Sequence, residues 1–156
     1  MATIKTENSV KIERGTIYSK NGTKCAREQL WWDLPVDQVF NPQNEFTKFY
    51  FKDSNFDKVV FKHKKGKAVK TEGVNTDNNF IDETNTNVLY LDGGNREDTQ
   101  SYVYSKPCRQ ALFWMDKDVN GQTTYEFVGI FTPTAYIGEK NLEVCTKYAD
   151  NLECTF

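Results

Sequence analysis

At 156 residues the chain suffices for one domain with a proper core and is too short for two of ordinary size. The formal charge of -2 excludes no partner class, because it hides an asymmetry: Lys48 to Lys70 holds eight lysines against Asp53 and Asp57, a local +6, and the remainder carries -8. No run approaches the roughly 20 apolar residues that span a bilayer and Met1 to Val10 has no apolar signal core, so a cytoplasmic protein is expected, with Cys25, Cys108, Cys145 and Cys154 as reduced, buried thiols.

In chain order, Val10 to Tyr18 alternates as a first strand, closed by Ser19, Asn21 and Gly22. Ala26 to Trp32 is amphipathic and Pro35 stops it, while Val36 to Phe40 suits one more turn before Pro42; one or two short helices are therefore predicted near residues 26-40. From Phe46 the pattern becomes β. Phe46 to Phe51, Lys58 to Lys62 and Lys67 to Glu72 read as short strands divided by Asp53-Ser54-Asn55 and Lys65-Gly66, which implies two hairpins.

Gly73 to Asn87, rich in Asn, Asp and Thr, reads as a long loop anchored by Phe80 and Ile81. Val88 to Leu91 is an apolar strand, Asp92 to Asn95 a turn, and Gln100 to Ser105 another strand. Arg109 to Met115 and Thr123 to Phe131 form the clearest unit, two strands joined by a turn with Asn120-Gly121, and Leu142 to Tyr148 makes the last strand. The whole of 1-156 is thus expected to be a single mostly β domain, a small β-barrel or sandwich, with β-rich α+β as the variant if the helices form.

Several residue sets carry chemistry. Asp116, Asp118, Asn120 and Gly121 open like a calcium loop, but Phe127 stands where a bidentate Glu belongs and the flanks read as strands, so a hairpin turn is the preferred reading and no metal is assigned. The cysteines lack a Cys-x-x-Cys pair, which argues against zinc. Gly15-Thr16-Ile17-Tyr18 and Tyr136-Ile137-Gly138 lie too far apart to make one nuclease centre, and His63 is the one histidine, so no catalytic residues and no cofactor are assigned.

What remains is a cationic cluster, Lys62, His63, Lys64, Lys65, Lys67 and Lys70, suited to phosphate contacts or, more plainly, to guarding a strand edge against aggregation. Trp31, Trp32 and Trp114 offer aromatic faces for stacking, with the alternative of ordinary core packing.

Ala111-Leu112-Phe113-Trp114, the Asn120-Gly121 turn and Tyr125-Glu126-Phe127-Val128-Gly129-Ile130-Phe131 resemble the closing strand pair of PUA-like or SRA-like β-barrels, modules found beside bacterial restriction nucleases, where they read DNA. That resemblance spans Asn87 to Phe131 and implies a non-catalytic reader of modified or extruded bases, with the lysines on phosphates, Trp31, Trp32 and Trp114 as pocket candidates and Asp33 on a base edge. Two other classes stay open: a protein-interaction inhibitor of phage or mobile-element origin whose acidic surface mimics nucleic acid, and an enzyme whose site is assembled from scattered residues.

Overall fold

A computed structural model describes residues 9–19, 30, 53–64, 79–92 and 108–155, and ten strands lie among them in two sheets. β1 (Ser9–Ile12), β10 (Leu152–Thr155) and β3 (Asp53–Ser54) form a small antiparallel sheet with β10 in the middle. In the larger sheet β4 (Lys58–His63), β7 (Gln110–Lys117), β8 (Thr123–Ile137), β9 (Leu142–Ala149), β6 (Val88–Asp92) and β5 (Phe80–Ile81) follow one another, and β2 (Ile17–Ser19) pairs with the first part of β8. The fold is mostly β as the composition implies. Among the described residues the ladder does not close into a barrel.

The run Gln110-Ala111-Leu112-Phe113-Trp114 is buried at every position because β7 lies between β4 and β8 with apolar groups on both faces. Ala111 and Phe113 face the small sheet, where Val59, Phe127 and Ile130 meet Ile12, Leu152, Cys154 and Phe56, together with Leu30. Phe113 stacks at 5.4 Å from Phe61 and 5.1 Å from Phe127. Leu112 and Trp114 face the other way, into a second cluster with Leu89, Leu91, Val128, Phe131 and Cys145.

The larger sheet is curled, with the second cluster on its inner side. β8 pairs with β7 over Thr123 to Phe131 but with β9 over Ile130 to Ile137, so the strand carries the sheet around a bend. The bend is made by bulges. Val128 is extra against β7, and with Gly129 at φ +136° it resets the alternation so that Phe127 and Ile130, three apart, both face the small sheet. Thr134, beside Pro133, is extra against β9, which is how a proline is tolerated inside a paired strand.

A buried side chain joins the two ends of the curl. Asn79 is 5% exposed; its Nδ2 donates to the His63 carbonyl at the end of β4 (3.0 Å) and its Oδ1 accepts from the Asp92 amide at the end of β6 (2.9 Å). At the opposite end of β4, Asp57 and Arg109 clamp the parallel pair β4-β7: the Asp57 carboxylate accepts from the Arg109 amide (2.8 Å), Nε (3.2 Å) and Nη2 (3.2 Å).

Several sequence expectations are corrected. Val10 to Tyr18 is two strands in different sheets, divided by a turn at Gly15 with φ +90°, a conformation open to glycine. Asp53-Ser54 is a strand paired with β10 instead of a divider, and β4 finds β7 in parallel. Phe80-Ile81, expected within the Gly73 to Asn87 loop, is a short strand paired with β6. β8 runs six residues past Phe131, and β10 follows a tight turn that the sequence reading passed over. The strands expected at 46-51, 67-72 and 100-105, the turn at Asp92 to Asn95 beyond Asp92, and the helices near residues 26-40, apart from Leu30, lie outside the described residues.

Candidate functional site

β4 sorts its lysines by strand alternation. Lys58 and Lys62, in register with Gln110 and Trp114 of β7, lie on the inner side of the curl, whereas the chain ends its pairing with His63 and Lys64 exposed. Lys64 is held there by its amide, which donates to the Met115 carbonyl at 2.9 Å. The candidate phosphate contacts are therefore divided: Lys62 is half-buried on the inner side, His63 and Lys64 stand at an exposed, backbone-fixed strand end, and Lys65, Lys67 and Lys70 lie outside the described residues, as do Trp31, Trp32 and Asp33.

Trp114 is 1% exposed, so its ring is a core surface and not an open stacking face. Its indole Nε1 nonetheless has no hydrogen-bond partner among the described residues, nor has Oε1 of Glu143. Glu143 was missed by the sequence reading. It pairs with Leu91, which places its side chain on the same inner side as Leu91 and Cys145, and it is only 8% exposed. Burial raises the carboxyl above its ordinary value, while the charges of Lys62 and Lys58 and a hydrogen bond from Gln110 oppose that rise. The opposition matters structurally: β9 senses β4 and β7 across the inside of the curl.

The inner side thus combines an indole donor, a buried carboxyl, the Gln110 amide and lysine ammoniums within an apolar wall. Leaving such a buried polar group unpaired costs about 1–3 kcal/mol. A signal for Glu143 does exist in the sequence, a lone acidic residue in Leu142-Glu143-Val144-Cys145. Its partners, however, lie on strands that only the curl brings near.

The other expected features resolve as structure. Asp118 Oδ1 accepts from the amides of Asn120 and Gln122, both at 2.9 Å, and Gly121 takes φ +78°, so the Asp116 to Gln122 segment is a self-bonded hairpin turn. Among the described residues no three potential metal ligands converge. Cys108 is half-buried, and Cys145 and Cys154 are buried free thiols; burial pushes Cys154 up to about 12 and Cys145 well above the ordinary thiol range, which disfavours the reactive thiolate. Cys25 lies outside the described residues. Comparison of the chain with protein-family models, with curated proteins and with solved structures finds no match.

Proposed function

We propose that this domain is a non-catalytic nucleic-acid-binding module in which the lysines at and beyond the end of β4 neutralise phosphates, and the inner side of the curled sheet reads a modified or extruded base. The observation that carries the reading is the fixed, exposed end of β4: His63 and Lys64 stand beside the polar inner side, and the chain continues directly into Lys65, Lys67 and Lys70. The sequence resemblance of Ala111 to Phe131 to PUA-like readers points the same way.

The test is fluorescence anisotropy with labelled duplex and single-stranded DNA across about 50 to 200 mM salt, over which affinity falls steeply if released counterions drive binding. Lys64→Ala is expected to reduce the salt slope by about one contact and to weaken all sequences alike. Lys62→Ala is expected to act less on the slope, since its ammonium lies in the field of Glu143. No binding at low salt, or an unchanged slope in a Lys64→Ala, Lys65→Ala, Lys67→Ala variant, overturns the proposal and leaves a protein partner as the stronger reading.

A further inference from the structure

A cleft of about 540 Å³ opens where the end of the small sheet meets Arg109 and Tyr148, a volume in the range of small-ligand sites. Tyr148 reaches it through an irregularity of β9. Ile130 pairs with Ala149 and Phe131 with Lys147, so Tyr148 is the extra residue of a bulge, and bulges turn a side chain out of the ordinary alternation. The residue is 56% exposed, an unusual state for a large aromatic residue that is nevertheless held in place.

What holds it is Arg109, whose guanidinium carbon lies 5.5 Å from the ring centroid while its nitrogens are fixed by Asp57 at 3.2 Å. A cation on one face draws π density toward itself. The opposite face then attracts a second cation or the C–H groups of a sugar less well, and accepts a flat, electron-rich ring better. The rest of the lining limits the choice further. Arg109 is already neutralised by Asp57, so Lys11 stands against Asp53 and Glu153 and the lining is acidic, which disfavours a phosphate-bearing ligand, and the two carboxylates accept hydrogen bonds from an exocyclic amine as they do from the amine of cytosine.

We propose that this cleft binds an uncharged nucleoside whose base carries an exocyclic amine, such as adenosine, cytidine or guanosine, with the base stacked on the exposed Tyr148 and its amine donating to Asp53 or Glu153. The site is separate from the lysine-rich strand end, because Arg109 lies beside the start of β4 and His63 and Lys64 lie at its other end.

The experiment is a titration of backbone amide shifts by NMR with adenosine, cytidine, thymidine and glucose. Adenosine and cytidine are expected to move the amides of Arg109, Tyr148 and Glu153, and thymidine to bind about tenfold more weakly for want of the amine. Tyr148→Leu is expected to lose at least about fivefold in affinity with the stacking face, its fold being read from the same spectra. Asp53→Ala with Glu153→Ala, which removes both acceptors, is expected to erase the preference for amine-bearing bases. Absence of shifts, equal affinity in Tyr148→Leu, no preference over thymidine, or tighter binding of glucose overturns the assignment. Lys64→Ala is expected to leave nucleoside binding unchanged; in the unsubstituted protein, no DNA binding at low salt with nucleoside shifts present fails only the phosphate reading, and DNA binding without nucleoside shifts fails only this one.

Discussion

Asp82 accepts at Oδ1 from the Thr84 amide (2.9 Å), the Thr84 hydroxyl (2.9 Å) and the Asn85 amide (3.1 Å), and at Oδ2 from the Tyr90 hydroxyl (2.9 Å). These donors, the Thr84 amide first, hold its carboxyl at about 2 against an ordinary 3.8, and the same contact pushes the Tyr90 phenol up. A depressed native value means that this stabilisation is complete above 3.8 and is lost as the pH falls toward about 2. Protection of the Asp82 to Asn87 amides, their exchange rate relative to that of the unstructured chain at the same pH, is expected to fall over that interval in the native protein and to stay constant across it in Asp82→Asn.

Glu143 carries the opposite sign. Its native value lies above the ordinary 4.5, chiefly through burial, so the folded state binds the proton more tightly and stability declines as the pH rises from 4.5 through the native value. Glu143→Gln removes the ionisable group while keeping the shape and the bond with Gln110. It is expected to be more stable than the parent at pH 7 and to differ little at pH 4, as read by denaturant midpoints; a variant weaker at both pH values would show that the Lys62 and Lys58 charges outweigh desolvation.

At the scale of elements, the hairpin of β7 and β8 was legible because its information is local: alternating or continuous apolar runs on either side of Asp118 to Gly121. The bend was not. Pro133 reads as a stop, yet it lies within β8 because Thr134 bulges beside it, and no local pattern announces that β8 exchanges β7 for β9 as its partner. Gly129 is where the bend can be tested. It takes φ +136°, and a Cβ there would lie 3.0 Å from Phe131 Cε1 and 3.3 Å from the Ala149 carbonyl oxygen. Gly129→Ala is expected to destabilise the protein by about 1–3 kcal/mol through backbone strain alone, with more added if Phe131 has to move, measured by urea unfolding. A neutral result would mean that the bulge relaxes without loss.

At the scale of the molecule, the sequence announced a β fold but not how its strands return on themselves, since β4 and β7 pair in parallel across more than forty intervening residues. The same distance hid the candidate site: Trp114 was visible as an aromatic residue, but its burial, and the convergence of Glu143, Gln110 and Lys62 beside one another, exist only once the sheet has curled. Asn79 is the side chain that connects the two ends of that curl, donating to β4 and accepting from β6 from a buried position. Asp in its place keeps the acceptor for the Asp92 amide but sets a carboxylate oxygen against the His63 carbonyl, so Asn79→Asp isolates the β4 contact. It is expected to lose about 1–3 kcal/mol, the usual penalty of an unpaired buried polar group, and to speed exchange of the β5 and β6 amides more than those of the β7-β8 hairpin. Because curling sets the separation of Glu143 from Lys62, the same variant is also expected to weaken recognition on the inner side while leaving nucleoside binding at Tyr148 intact. Uniform loss of protection across both sheets would show instead that the curl and the sandwich unfold as one unit.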